Sequence, residues 1–447
     1  MTAAAATDSL LGRLARQWSD VAVDDLPAEV VEVGRHCVLD WLACALAGSG
    51  EPLAHLLRDE LPSAGAAGAA TVVGTDRRAD ARNAALVNGA AGHALDFDDT
   101  HQLMPGHPTV PVLPAALAVA EELDLSGERL LAAFVVGVEV ECRVGALLGP
   151  GHYRAGWHAT GTIGTFGAAA AVSQLLGLDA ERTTHALALA GTQAAGLKAT
   201  FGTMGKPLHA GKAASDGLLA ARLAARGYTG NPSVLEADQG LAAAAGGVTP
   251  DPARLDRLDG RWAIRDTLFK YHAACYLAHA AINAALALAD QVAVDDIERV
   301  EVHVAPDLLH VCNIAEPATG LEGKFSLRAT TAMALLGDDT TDTAAYSDER
   351  MGDGDLVALR DRVVVVPEEG RVQTQSHVVV TARNGDRLSA EDDTGRPAAD
   401  LDLQWERLSS KFRSLASPVL GDAGAEKLRT AVAGLAPART IARSAAR

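Results

Sequence analysis

Residues 24–48, DDLPAEVVEVGRHCVLDWLACALAG, predict one long buried helix. Asp24 and Pro27 favour a helix start, and Gly48 favours a helix end. Between them, five apolar residues recur at intervals of three or four positions and therefore share one helix face: Val30, Val33, Cys37, Trp41 and Cys44. Such a stripe indicates a helix that packs against other helices.

The helical pattern continues along roughly the first 250 residues. Ala-rich segments separated by turns with Gly or Pro predict further helices near 80–95, 109–123, 127–147, 160–177, 181–196 and 210–227. Aromatic residues make up only 4% of the chain, so these helices are expected to approach one another closely through small side chains. This part of the chain is predicted to be a large all-helical domain.

The pattern changes after residues 248–260, VTPDPARLDRLDG, where Pro and Asp crowd together as in a connection between domains. Val300, Val302 and Val304 then alternate with polar residues and predict a strand. The other predicted elements are a strand at 363–366, a hairpin around Asn384-Gly385, helices at 273–290 and 324–336, an exposed acidic loop at 337–355 and a returning helix at 405–435. A smaller α+β domain is therefore expected to follow the helical one.

Charge and cysteine usage limit the class of protein. The net charge of −18 argues against a nucleic-acid partner, because binding to phosphates needs a basic face. The 5 cysteines are dispersed and form no CxxC pair, which disfavours disulfides and zinc and fits a reducing cytoplasm. The N-terminal residues lack a signal pattern, and the apolar run from Leu130 to Val138 is too short to span a membrane.

Polar groups are concentrated in three stretches. The first is HALDFDDTH at 93–101, followed by PGHP at 105–108. From the residues alone it could be a helix end capped by Asp side chains, a divalent-metal site, or a substrate-binding loop in which Gly106 and Pro108 hold His107 in an irregular backbone. Neither HExxH nor DDxxD occurs in this stretch to favour the metal.

The second and third stretches are GWHATGTIGTFG at 156–167 and GTMGKPLHAGK at 202–212. They match neither a dinucleotide fingerprint nor a phosphate-binding P-loop. His158 is predicted just before a helix start, where an imidazole could meet a substrate carboxylate. Lys206, between Gly205 and Pro207, is predicted in a turn, where its charge could anchor an anion. From the residues alone, His158 could instead have a purely structural role, and Lys206 could simply be solvated.

Taken together, these stretches resemble the MmgE/PrpD family, which includes dehydratases and decarboxylases of citrate-like acids. The matching phrases run in order along nearly the whole chain: HALDFDDTH with GHP, GWHATGTIGTFGAAAA, GTMGKPLHAGKAA, FKYHAACYLAHAAI, GKFSLRATTAMAL and SSKFRSLA. The resemblance implies a helical domain of residues 1–262, completed by 397–447, and an α+β lid domain of residues 263–396. It also implies a homodimer, an active site between the domains and no metal or organic cofactor.

The resemblance also implies the site residues. Those expected to be catalytic are Asp96, His107, His158, Lys206 and Lys270, and those expected to bind substrate are Thr100, His101, His209 and Cys275. The decarboxylases of the family carry a histidine where this chain has Cys275 and a tyrosine where it has Ala329. This difference favours a dehydratase of the 2-methylcitrate dehydratase type over a decarboxylase.

The chemistry expected of such a pocket starts with removal of a proton from the carbon next to a carboxylate. Lys206 and Lys270 are expected to bind two carboxylates of a small di- or tricarboxylic acid, and His107 or His158 to act as the base. Decarboxylation and epimerisation remain alternatives, because the same proton transfer serves all three reactions. A catalytically silent ligand-binding or scaffold protein is the alternative from another class.

Overall fold

The computed structural model describes residues 8–61, 68–256 and 260–447. Residues 1–7, and residues 257–259 of the predicted connection, lie outside this description. The chain divides into two units, one formed by Met1–Phe269 with Ala399–Arg447 and the other by Lys270–Ala398. The fold is mainly α-helical with a small sheet region, as the sequence predicted.

Helices form almost all of the first unit. They are α1 (Leu10–Trp18), α2 (Ala28–Gly48), α3 (Pro52–Glu60), α4 (Ala81–Gly92), α5 (Thr109–Glu122), α6 (Gly127–Arg154), α7 (Ala159–Thr162), α8 (Gly164–Leu175), α9 (Ala180–Gly191), α10 (Gly205–Ala225), α11 (Leu241–Ala244) and α12 (Ala253–Asp256). A two-stranded ribbon pairs β1 (Ala70–Thr71) with β2 (Arg78–Ala79). The core consists of α4, α5, α6, α8, α9 and α10, which pack against one another.

The helix predicted from residues 24–48 is α2. Pro27 stands at its N-cap, and Ser49 directly follows its last residue, Gly48. The five predicted stripe residues are at most 1% exposed: Val30, Val33, Cys37, Trp41 and Cys44. The helix predicted near 160–177 is instead two short helices, α7 and α8, which meet at Ile163, although Ile163 itself keeps right-handed helical dihedral angles.

The second unit contains a four-stranded sheet in the order β4-β3-β5-β6. Its strands are β3 (Ile297–Val304), β4 (Val363–Pro367), β5 (Gln375–Ala382) and β6 (Arg387–Asp393). Strands β3 and β4 are parallel, with Val300 opposite Val363, and the other pairs are antiparallel. The hairpin predicted around Asn384-Gly385 is confirmed, and Gly385 has the positive φ of 89° that such a turn requires.

Helices of the second unit are α13 (His279–Ala289), α14 (Gly320–Gly323), α15 (Leu327–Leu336), α16 (Asp348–Gly352) and α17 (Gly354–Arg360). Helix α13 packs on β5, β6 and α15. The acidic segment 337–355, predicted to be a loop, contains α16 and the start of α17. Ser347 caps α16, and Arg350 within it pairs with Asp338, so local capping and ion pairing support helix formation despite the acidic composition.

The first unit is completed by α18 (Leu401–Ala433) and α19 (Ala438–Ser444). Helix α18 packs against α2, and α19 packs on α5. Gly421, with a φ of 69°, interrupts the regular backbone of α18. Within the described residues, no helix combines the length and the apolar character that crossing a membrane requires.

Candidate active site

The turn after α4 carries the acidic groups of the candidate site. Helix α4 ends at Gly92, and His93 is its C-cap. Asp96 has a φ of 51°, a left-handed conformation that Asp tolerates better than most residues. Asp98 is fully buried, and Asp99 is 1% exposed. The turn therefore brings several ionisable side chains out of water within a few residues.

Asp98 lies between two imidazoles. His93 Nδ1 lies 2.9 Å from Asp98 Oδ1 and 3.0 Å from Oδ2, and His107 Nδ1 lies 3.2 Å from Oδ2. The centroids of the two rings are 4.4 Å apart. An ionised carboxylate can only accept hydrogen bonds, so it favours the tautomer of His93 that carries the proton on Nδ1 and leaves a lone pair on Nε2.

Lys206 brings a cation to the same site. Its Nζ donates to Asp96 Oδ1 at 2.7 Å, and the same oxygen lies 3.5 Å from His107 Nε2. Lys206 is 8% exposed. The prediction of a turn at Lys206 is wrong, because the residue lies in the first turn of α10. Pro207 is compatible with this place, since the first turn of a helix does not need its amide hydrogen.

His158 extends the row of imidazoles toward α10. It is the N-cap of α7, which confirms the prediction that it precedes a helix start, and it is 2% exposed. Its ring stacks on that of His93 with centroids 5.8 Å apart. On another side, the edge of Phe201 approaches at 5.0 Å. Its Nδ1 lies 3.1 Å from Nδ1 of His209, which projects from the second turn of α10.

Burial and charge determine the protonation of these groups. Burial lowers the pKa of His93 to about 4, even though the neighbouring carboxylate of Asp98 opposes the shift. Burial lowers the pKa of His158 well below its usual value, and the nearby His93, Lys206 and His107 lower it further. Burial alone would raise the pKa of Asp98, but His107 and His93 hold it well below its usual range. At neutral pH, His93 and His158 are therefore neutral, and Asp98 is ionised.

The cluster also has the composition of a metal site. His93, Asp96, Asp98 and His107 each offer one ligand atom, and these atoms lie within 4.8 Å of one another. Imidazole and carboxylate ligands suit a divalent transition metal. The ammonium group of Lys206, however, already lies 2.7 Å from Asp96 and would repel a second cation there. The expectation that no metal is needed remains a prediction.

Two predicted substrate contacts bond to the backbone. Thr100 donates its hydroxyl to the carbonyl of Gly106 at 3.0 Å. In His101, Nε2 donates to the carbonyl of Ala263 at 2.8 Å, and Nδ1 accepts from the amide of Leu103 at 3.1 Å. Both ring nitrogens of His101 thus hold the loop, and the substrate contacts predicted for Thr100 and His101 remain predictions.

Lys270 and Cys275 belong to the second unit. Both are buried, with 1% and 8% of their surface exposed. Cys275 precedes a short 3₁₀ helix, Tyr276–Ala278, and its amide donates to the carbonyl of Lys324 at 2.9 Å. Ala329 lies in the first turn of α15. The roles predicted for Lys270 and Cys275 remain predictions.

The sequence patterns give no role to His93 or Asp98. Both stand in the phrase HALDFDDTH, five positions apart, but neither was distinguished there from its polar neighbours. The available signal was their position on either side of a helix end, because the chain must reverse there and can bring the two side chains together. The structure brings Asp96, His107, His158, Lys206 and His209 together around them.

Comparison with known proteins places the chain in a family. Models of the MmgE/PrpD N-terminal and C-terminal domains match residues 12–252 and 272–436. The chain is 29% identical over 437 residues to the cis-aconitate decarboxylase of Mus musculus, covering 92% of this chain and 87% of that protein. The match to the human cis-aconitate decarboxylase is also 29% identical and covers 89% of this chain and 86% of that protein.

A fungal relative is more similar over a shorter length. The chain is 33% identical over 302 residues to the cis-aconitate decarboxylase-like protein oryM of Aspergillus oryzae. This alignment covers 63% of each chain, so it spans less than two thirds of that relative. Because both domain models match in order and together span most of the sequence, the chain belongs to the MmgE/PrpD family.

Proposed function

We propose that this chain is a lyase that acts on a small di- or tricarboxylic acid by proton transfer next to a carboxylate. Decarboxylation of an acid related to cis-aconitate is the first candidate reaction. The observation that carries the proposal is the buried cluster in which Lys206, His107 and His158 lie beside Asp96 and Asp98. The full-length similarity to two mammalian cis-aconitate decarboxylases supports the choice of reaction.

The proposed role of Lys206 is to bind a substrate carboxylate. An ammonium group has three hydrogens, and Asp96 accepts only one of them, so two remain for a ligand. The charges of Asp96, Asp98 and Lys206 sum to −1, which opposes the binding of an anion unless a neighbouring imidazole carries a proton. A substrate that carries two or three carboxylates therefore needs a second cation, for which Lys270 is the candidate, and the uptake of a proton by an imidazole.

A proton taken up by the site can be consumed in decarboxylation. When the carbon–carbon bond breaks, its electron pair stays on the substrate carbon and carbon dioxide leaves. That carbon must then accept one proton for each turnover. An imidazolium of His107, formed when the anionic substrate binds, or an N–H group of the neutral His158 ring can supply this proton.

Dehydration is the second candidate. The residues Cys275 and Ala329 stand where decarboxylases of this family carry a histidine and a tyrosine, so a proton-transferring ring pair is replaced by a thiol and a methyl group. Dehydration removes the proton next to the carboxylate and expels hydroxide from the neighbouring carbon as water, so it consumes no net proton. The neutral imidazoles of His93 and His158 suit the removal of that proton.

The two reactions can be separated in one experiment. The purified chain is incubated with cis-aconitate, citrate and 2-methylcitrate in deuterated water. Carbon dioxide release with deuterium in the product indicates decarboxylation, and ultraviolet absorbance from a new double bond without carbon dioxide indicates dehydration. Deuterium exchange without either product indicates epimerisation. If a panel of such acids gives none of these signals, the proposal of a lyase is wrong and a catalytically silent protein is favoured.

A variant pair links the activity to the site. Lys206→Met removes the ammonium group and should reduce turnover by about 100-fold or more, because a charge that stabilises an anion in a buried site contributes several kcal/mol. Lys427→Met on the exposed surface of α18 serves as the control and should leave turnover unchanged. A cytoplasmic homodimer that needs no cofactor completes the proposal, and its assembly can be checked by sedimentation of the purified chain.

A further inference from the structure

The contact between His158 and His209 joins two atoms of the same kind. The two Nδ1 atoms lie 3.1 Å apart, which is hydrogen-bond distance. A hydrogen bond between them requires one nitrogen to carry a hydrogen and the other to offer a lone pair. The two rings must therefore be in opposite states at Nδ1, and together they hold one proton there.

The structure holds the ring of His209 firmly in this place. A Cβ atom added to Gly161 would lie 2.9 Å from the Cβ of His209, and one added to Gly196 would lie 3.1 Å from its Nδ1. Gly196 also has a φ of 153°, and its carbonyl accepts from the amide of His158 at 3.0 Å. A side chain at either glycine would therefore crowd His209, and the two glycines leave the space that its ring occupies.

Burial differs along the pair. His158 is 2% exposed and stacks on the His93 side of the cluster, whereas His209 is half-buried. His209 is thus the member of the pair with access to water. The pair therefore runs from the buried cluster toward solvent.

We propose that His209 is a proton relay that connects His158 with water. This inference rests on the proposed function and deepens it by identifying where the proton consumed in decarboxylation comes from. His158 Nε2–H gives its proton to the substrate carbon, and His158 Nδ1 takes the proton of His209 Nδ1–H. Nδ1 of His209 is left with a lone pair, and its Nε2 takes a proton from water.

The transfer balances and can run in both directions. One proton moves from water to the substrate carbon, and both rings remain neutral with their tautomers exchanged. The starting tautomers return after product release, when water in the empty site protonates His158 Nε2, His158 Nδ1–H passes its proton to His209 Nδ1, and His209 Nε2–H releases a proton to water. In the reverse direction, His158 Nε2 accepts a proton from the substrate, and His209 releases one to water. His209 thus acts as a positioning and relay residue for His158, although the sequence had indicated that it contacts substrate.

Burial and the neighbouring charged groups lower the pKa of both rings, so both can stay neutral and exchange a proton. Burial lowers the pKa of His209, and Lys212 lowers it further, while the pKa of His158 is lowered by burial and its neighbours. The titratable groups that face the pair are His93, His107, Lys206 and Lys212. Two neutral rings exchange a proton without creating a buried charge at rest.

The first test needs no substrate. The chain is labelled with ¹⁵N in its histidine rings, and the tautomers are assigned by NMR near neutral pH, with His209→Asn and His158→Asn used for assignment. The relay predicts that one Nδ1 carries hydrogen and the other does not, and that replacing either histidine changes the shifts of the other ring. If both rings lack hydrogen on Nδ1, they share no proton and the relay is wrong.

The second test uses turnover. In His209→Asn, the side-chain amide lies near the position of Nδ1 and keeps a hydrogen bond to His158, but it cannot pass a proton through. Turnover should fall by about 10- to 100-fold with KM nearly unchanged, and the pH profile of kcat should shift. In His209→Ala, added imidazole should restore part of the activity. His185→Asn is the control, because His185 is half-buried on α9 and bonds only to Gly230 among the described residues.

The outcomes separate the relay from the proposed function. Wild-type turnover and an unchanged pH profile in His209→Asn would overturn the relay, since the amide can orient His158 but not conduct protons. If the wild-type chain converts no carboxylic acid, the proposed function fails, and the NMR measurement still decides whether His158 and His209 share a proton.

Discussion

Lys411 Nζ lies 2.7 Å from Asp40 Oδ1 and donates to the carbonyl oxygen of Phe97 at 2.6 Å. Its side chain is 6% exposed, that of Asp40 is 1% exposed, and the ammonium also lies 3.9 Å from the centre of the Phe97 ring. Phe97 stands between Asp96 and Asp98. A single side chain of α18 is thus bonded both to α2 and to the turn that carries the acidic groups of the site.

Replacing Lys411 by Met should destabilise the first unit by about 3–5 kcal/mol, because it removes the ammonium that compensates the buried charge of Asp40. The free energy of unfolding measured in urea checks this, with Lys427→Met as the exposed control. The double variant Lys411→Met/Asp40→Leu should recover part of the loss, since it leaves no unpaired charge. A single variant as stable as the control would contradict the prediction.

Asp99 should make the stability of the chain depend on pH. Burial, together with the neighbouring Asp40, raises its pKa to about 8, although hydrogen bonds from Thr109 oppose the shift. The folded chain therefore holds this proton more tightly than the unfolded chain does. The stabilisation is complete at acidic pH and is lost as the pH rises from about 4 through about 8.

The variant Asp99→Asn isolates this contribution. The free energy of unfolding of the wild type, relative to that of the variant, should fall with rising pH by at most about 1.4 kcal/mol per pH unit, the value for one proton. Urea unfolding at several pH values between about 5 and about 9 measures the difference. Parallel curves for the two proteins would show that Asp99 does not titrate in this range.

Asp98→Asn should impair turnover more than binding. The carboxylate fixes the tautomer of His93 and contacts His107, whereas an amide can donate to Nδ1 and reverse that tautomer. We expect kcat to fall by about 100-fold or more and KM to change little. The exposed Asp422→Asn is the matched control. A rise of KM with unchanged kcat would instead indicate that Asp98 affects binding alone.

Substrate affinity should weaken at alkaline pH. Asp96, Asp98 and Lys206 together carry a net negative charge, so the binding of an anion is favoured when an imidazole of the site takes up a proton. Because the pKa values of His93 and His158 are low before substrate binds, such uptake makes the affinity fall, and KM rise, with increasing pH. Steady-state kinetics across the pH range, at constant ionic strength, test this. A KM that is independent of pH would argue against coupled proton uptake.

Dialysis against a chelator should leave turnover unchanged. The ammonium of Lys206, 2.7 Å from Asp96, supplies the positive charge that a metal would otherwise bring to the cluster of His93, Asp96, Asp98 and His107. Activity is measured before and after dialysis and after addition of Mg²⁺, Mn²⁺ or Zn²⁺. Loss of activity on dialysis and its return with one of these ions would assign the cluster to a metal instead.

Local sequence patterns predicted most of the helices, because the apolar residues on the buried face of a helix recur at a regular spacing. The stripe from Val30 to Cys44 is an example, and the Asn384-Gly385 hairpin is a similarly local signal. Predictions were wrong where several local signals compete. Lys206 was placed in a turn because of Gly205 and Pro207, although a helix tolerates both in its first turn.

The parts of the site that depend on tertiary structure could not be predicted in this way. His158 and His209 are 51 residues apart in sequence, and Asp40 and Lys411 are 371 residues apart. No spacing rule links such pairs, because their distance depends on how whole helices pack. The family resemblance predicted most of the residues that the structure brings together around His93 and Asp98, whereas the pairing of each side chain is visible only in the structure.

The bond between Lys411 and Phe97 also constrains the order of folding during synthesis. The first unit is built from residues 1–269 and 399–447, and the intervening unit is translated between these two segments. Lys411 cannot bond to the turn with Asp96 and Asp98 until α18 has left the ribosome. In a nascent chain that already contains α1 to α10, the surface of α2 that α18 later covers therefore lacks its packing partner during that interval.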